Sequence, residues 1–170
     1  MCIRDRIRAS EKGYLGRKAG IDFMVAMNPQ SYIQDVAEIN PGGYLLYDSS
    51  WKREFHREDI NIIEVPLTSL CVDEFQNPKT RLLFKNLVYV GALSYLMSIK
   101  KDIFIELIEE QFQGKEKLIA PNVQALEMGF NYAKKHLVDA CDIKVNQKNL
   151  TDGMILTLSL IHISEPTRPY

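Results

Sequence analysis

Three short apolar runs, each closed by a turn signal, restrict this chain more than any other feature. Ile21–Met27 ends at Asn28-Pro29-Gln30-Ser31, Tyr44–Tyr47 ends at Asp48-Ser49-Ser50, and Ile60–Val65 ends at Pro66. Runs of this length bounded by Pro, Gly, Asn and Ser read as buried strands. Between the first two, Tyr32–Ile39 carries Ile33, Val36 and Ala37 at helical spacing. Pro29 suits a first helical turn and Ser31 is placed to cap it. Asn40-Pro41-Gly42-Gly43 then reads as a turn before the second strand. Strand, helix, strand in that order predicts an α/β domain with a largely parallel sheet.

The remainder reads as helices. Leu67–Phe75 is a weak one. Pro78 opens a long one to about Ser98, apolar on nearly every side from Leu87 onward, the mark of a central buried helix. Asp102–Phe112 sets Ile103, Phe104, Leu107, Ile108 and Phe112 on one face and Glu106, Glu109 and Glu110 opposite. Pro121–Leu137 makes a stripe of Val123, Leu126, Phe130, Ala133 and Leu137, with Lys134, Lys135 and His136 in its last turn, where positive charge suits the helix dipole. The charged run Trp51–Asp59 is expected to be exposed, and the stretch after Cys141 reads as a linker or a lone strand.

The two ends stand apart. Met1-Cys2-Ile3-Arg4-Asp5-Arg6 can be encoded by ATG TGT ATA AGA GAC AG, and the reverse complement, read in another frame and extended, encodes Leu158-Ser159-Leu160-Ile161-His162-Ile163. Residues 1–6 and 158–170 therefore read as translated sequencing adapter. The expectation is a natural segment from about residue 7 to 157, an internal piece of a longer reading frame, with residues 7–140 a partial domain and 141–157 a linker into the next region.

Composition excludes several classes. A net charge of −1 does not suit electrostatic nucleic-acid binding, which calls for a basic excess. The near-continuous apolar run Leu87–Met97 falls short of the roughly 20 residues a bilayer span needs. Cys2, Cys71 and Cys141 are scattered and odd in number, forming neither a disulfide framework nor a metal pair, so a reducing cytoplasm is the default location. There is no G-x-G-x-x-G, Walker loop, G-x-S-x-G, H-E-x-x-H or C-x-x-C. His56 sits in a charge run, His136 reads as a helix C-terminal residue, and Cys71 as a small buried hydrophobe. Asp48 is either a base at a strand end or turn chemistry. The segment with a physical case for binding is Asn28–Ser31. It follows a buried strand at the sheet edge where α/β ligands sit, and Asn28, Gln30 and Ser31 add neutral donors to a helix start. The loop Asp48-Ser49-Ser50 is expected at the same edge, facing an anionic or amide-rich ligand or a partner domain.

Several collinear segments carry a resemblance. They are Ser10-Glu11-Lys12-Gly13-Tyr14-Leu15-Gly16, Met24-Val25-Ala26-Met27-Asn28-Pro29-Gln30, Asp35-Val36-Ala37-Glu38, Pro41-Gly42-Gly43-Tyr44 and Tyr47-Asp48-Ser49. Leu83-Phe84-Lys85-Asn86, Tyr89-Val90-Gly91-Ala92, Glu110-Gln111-Phe112 and Gly114-Lys115-Glu116-Lys117 continue it, followed by Asn122, Ala125-Leu126 and Tyr132-Ala133. Together, over about Ile7 to Val145, they resemble the gamma domain of 2-oxoacid:acceptor (ferredoxin) oxidoreductases, in the form fused ahead of the alpha subunit. The resemblance implies a Rossmann-like, three-layer parallel-sheet domain, truncated at its N-terminal side because the usual glycine-rich first strand and helix are missing. It also implies a part in oxidative decarboxylation of a 2-oxoacid to acyl-CoA with ferredoxin reduction. Thiamine diphosphate and iron–sulfur clusters would lie in the alpha and beta partners, with no cofactor bound by this piece. The piece itself would carry no catalytic residue and would serve structure and coenzyme A access through Asn28, Gln30 and Ser31. The other readings of the residues are a stand-alone small-ligand-binding α/β module and an interaction domain.

Overall fold

The computed structural model describes residues 6–12, 16, 18–28 and 30–148. Strand β1 is Ile21–Ala26, helix α1 Tyr32–Ala37, strand β2 Ile39–Asp48 and strand β3 Asn61–Val65. Four helices follow: α2 Leu67–Glu74, α3 Pro78–Leu96, α4 Lys101–Gln111 and α5 Glu116–His136. The strands form one sheet in the order β1-β2-β3, with both pairings parallel. The α/β expectation holds, and all three strand carboxyl ends lie at one edge.

Strand β2 differs from its expected extent. It starts at Ile39 and takes in the Asn-Pro-Gly-Gly segment as an irregularity: Ile21 pairs with Ile39, but Phe23 already pairs with Tyr44. Pro41 has no N–H for a ladder, and Gly42 sits at φ +78°, so the surplus residues loop out as a bulge. The loop is tied to β3: Gly42 N donates to Asp59 O (2.7 Å) and Asn61 Nδ2 donates to Gly42 O (3.0 Å).

Alternate residues of the strands serve opposite faces. Tyr44, Leu46, Ile63 and Val65 face a core shared with Leu67, Cys71, Val88, Leu96, Ala125 and Cys141 of the helical layer and the chain beyond it. Met24, Ala26 and Leu45 face a smaller core with Tyr32, Val36, Ile39, Phe55 and Ile60. This second face has α1 and the 49–60 connection as its cover. That connection is not the freely exposed charge run expected from composition. Arg53, Phe55 and Arg57 are half-buried, while Lys52, Glu54, His56 and Glu58 are exposed. Phe55 packs edge-on against Tyr32 and Tyr47, with centroids 5.5 and 4.8 Å away. Arg53 lies 4.3 Å over the Tyr32 ring. Arg57 donates to Val36 O and Ile39 O at 2.9 and 2.8 Å.

In the helical layer, Asn77 caps α3 by accepting from Lys79 N at 3.0 Å. No residue from Leu87 to Met97 is exposed. Helix α3 crosses α5 with backbones in contact: a Cβ on Gly91 would stand 1.9 Å from Leu126 O, and one on Gly129 1.8 Å from Val88 O. Helix α5 begins at Glu116, before Pro121 rather than at it, and runs on through the proline. The neighbouring Asn122 is buried and its side-chain amide donates to Leu118 O (2.6 Å). The apolar stripe expected on α4 is only partly covered: Ile108 is buried, but Ile103 and Leu107 are exposed.

The chain after α5 packs back. Tyr44 Oη donates to Asp142 Oδ2 (3.2 Å), Val145 N to Met97 O (2.8 Å) and Lys144 Nζ to Leu96 O (2.8 Å). The lysine thus neutralises carbonyls at the C-terminus of α3. The adapter readings of residues 1–5 and 158–170, and the linker reading from 149 on, lie outside the described residues. Arg6 is described and pairs with Glu38. Among the described residues, no helix is long and apolar enough to cross a membrane.

Candidate functional site

The carboxyl edge of the sheet gathers the loops after β1, β2 and β3, and its two halves are built differently. On the β1 side, Asn28 Oδ1 accepts from Gln30 N (2.9 Å), closing an Asx turn. Gln30 is exposed and Asn28 half-buried. Pro29 lies outside the described residues. Ser31 does not cap α1 with its side chain. It is buried, and its Oγ donates to Asp35 Oδ2 (2.7 Å). The predicted site residues therefore share one loop, with Gln30 at the solvent and Ser31 turned into the fold.

On the β2–β3 side, Asp48 is buried at the last position of β2. Its carboxylate accepts from Thr68 Oγ1, from Thr68 N (3.2 Å) and from Ser50 N (3.2 Å). Lys85 Nζ, reaching from α3, lies 3.6 Å away. Burial alone would raise the Asp48 pKa, but the bonds from Thr68 and Ser50 outweigh it and hold the carboxyl below its ordinary value. Ser49 N donates to Val65 O (3.0 Å), and Ser69 N and Oγ bond Ser50 Oγ at 2.9 and 3.0 Å. This cluster decides between the two readings of Asp48 in favour of turn chemistry. Sequence reasoning placed the loop but missed Thr68 and Lys85. A hydroxyl residue in the first turn of a helix entered from a strand was the signal for Thr68. Nothing local marks Lys85.

On the second face, Tyr47, Ser49, Lys52, Arg53, Glu54 and Glu64 line a shallow open groove. Tyr47 Oη donates to Glu64 Oε1 (2.8 Å). Burial, reinforced by that bond, pushes the phenol up to about 12. The Tyr32 hydroxyl is buried without a hydrogen-bond partner.

These groups can hold and orient, but they do not assemble a nucleophile with a base. Cys71 is 1% exposed, and burial pushes its thiol up to about 11. Burial also raises the Cys141 thiol. Both shifts favour the neutral thiol, which is a poor nucleophile. His56 is exposed, and His136 stacks on Tyr132 with centroids 4.7 Å apart. Among the described residues, no three His, Cys, Asp or Glu side chains stand together to hold a metal ion.

Residues 6–132 match the family model described as pyruvate ferredoxin/flavodoxin oxidoreductase. The ketoisovalerate oxidoreductase subunit VorA of Methanothermobacter marburgensis is 26% identical over 118 residues, which cover 68% of this chain and 24% of that protein. The chain thus spans about a quarter of the length of the curated relatives it matches. A solved 2-oxoglutarate:ferredoxin oxidoreductase from Magnetococcus marinus, with 2-oxoglutarate, coenzyme A and succinyl-CoA bound, aligns with a TM-score of 0.63 at 26% identity. The alignment covers 74% of this chain and 22% of that one. The gamma subunit of a keto/oxoacid ferredoxin oxidoreductase from Geobacter sulfurreducens has the same fold, with a TM-score of 0.55 at 21% identity over 67% of this chain and 64% of that one.

Proposed function

The chain belongs to the pyruvate ferredoxin/flavodoxin oxidoreductase family, and on that premise we propose that it is the gamma domain of a 2-oxoacid:ferredoxin oxidoreductase, serving assembly and coenzyme A access. The family match over residues 6–132 carries this reading. The enzyme as a whole would oxidise a 2-oxoacid, release carbon dioxide, pass two electrons through its clusters to ferredoxin and join the acyl group to coenzyme A. Thiamine diphosphate and the iron–sulfur clusters would belong to the alpha and beta partners. The complex would be cytoplasmic, and the region after residue 140 would lead into the alpha subunit.

The part of this chain is to bind and orient. Gln30 is the exposed polar group of the β1 loop, Asn28 fixes the turn that presents it, and Ser31 anchors the turn to α1 through Asp35. A carboxyl-edge loop of this kind suits the amide-rich arm of coenzyme A. The test is steady-state kinetics of the assembled enzyme with Asn28→Ala and Gln30→Ala. A several-fold rise in KM for coenzyme A at unchanged KM for the 2-oxoacid is expected. Unchanged coenzyme A kinetics in both variants would remove the loop from the acyl-acceptor path. Reading the native gene past residue 157 tests the fused arrangement: a thiamine-type domain is expected there, and an early stop codon would overturn it.

A further inference from the structure

The groups around Asp48 are those that a bound anion would need. Thr68 N lies in the first turn of α2, Ser50 N belongs to the loop after β2, Thr68 Oγ1 supplies a hydroxyl and Lys85 Nζ supplies the charge. They come from three separate elements and converge on one buried carboxylate at the edge where ligands of parallel sheets gather. We infer that this cradle is an anion site whose resident ligand is the chain's own Asp48 side chain. While Asp48 is there, a phosphate or carboxylate from outside finds the position filled and meets like charge. The cradle itself is thereby closed to anions from outside, whatever the role of the β1 loop.

Removing the side chain opens the site to a free carboxylate of the same shape. In the full chain, Asp48→Ala is expected to melt several degrees below the unsubstituted protein. Sodium acetate should restore much of that loss relative to sodium chloride at equal ionic strength, since a ligand bound only by the folded state stabilises it by mass action. The unsubstituted protein and Asp48→Asn, whose side chains fill the cradle, should not respond selectively to acetate. Adding Lys85→Met to Asp48→Ala should abolish the acetate response. If Asp48→Ala does not stay folded, its refolding yield from denaturant in acetate against chloride gives the same reading. An acetate effect equal in the unsubstituted protein and Asp48→Ala, or equal yields in the two salts, overturns the inference. Coenzyme A plays no part in the experiment, so its outcome is separate from that of the kinetic test on the β1 loop.

Discussion

The two faces of the sheet are kept from water by different means. One lies under α2, α3 and α5 and the chain that returns after them, and its core includes Leu46, Val65, Leu67, Val88 and Ala125, all at 0% exposure. The other lies under a six-residue helix and an extended strap. There the aromatic contacts of Phe55 and the stacked guanidinium of Arg53 stand in for a helical layer. The cover is incomplete: Ile62 on β3 is 38% exposed, Ile33 on α1 82% and Trp51 on the strap 61%. The helical face draws its stability from buried area. The strapped face depends on a few specific contacts, and so is expected to open more readily.

Substitutions probe this contrast in decreasing order. Leu46→Ala on the helical face should cost about 2–5 kcal/mol in urea unfolding; a loss under 1 kcal/mol would mean that the helical layer does not carry the fold. Gly91→Ala and Gly129→Ala should each cost about 1–3 kcal/mol, because the new methyl meets backbone rather than a movable side chain. Phe55→Ala should cost about 1–2 kcal/mol, less than a fully buried ring. Hydrogen exchange should then quicken in residues 49–60 and leave α3 and α5 unchanged; equal quickening in the helices would erase the distinction between the faces. Asp48→Asn should cost about 1 kcal/mol at neutral pH. The native carboxyl is depressed, so its contribution is present above the unfolded value of about 3.9 and is lost as pH falls through the lower folded value. The gap between Asp48→Asn and the unsubstituted chain should therefore be level from pH 5 to 8 and close in acid. Trp51→Ala, at a largely exposed position, should change stability by less than about 0.5 kcal/mol.

The sequence made the helical face readable because its signals are periodic and local. The Leu87–Met97 run marked the buried half of α3, and Pro78 marked its start. The strapped face was harder. Charges at Lys52, Glu54, His56 and Glu58 mask the alternation that turns Arg53, Phe55 and Arg57 inward, and Asn40-Pro41-Gly42-Gly43 gives the same local signal for a bulge as for a chain reversal. Pro121 was read as a helix start because prolines favour that position, whereas the helix runs through it. At the edge, strand order alone placed the loops of Asn28 and Asp48. That Ser31 bonds Asp35, and that Lys85 arrives from a helix far along the chain, depends on tertiary approach and has no pattern in one dimension.

The contact between α3 and α5 leaves no side-chain cushion where Gly91 and Gly129 meet the opposite main chain. Neither helix can slide or roll without its neighbour, so the pair acts as a single strut. A displacement of one of the two helices would therefore be felt directly by the other. Compensation would also have to be paired: enlarging either glycine calls for a matching retreat of the facing backbone, which side-chain exchange alone does not provide.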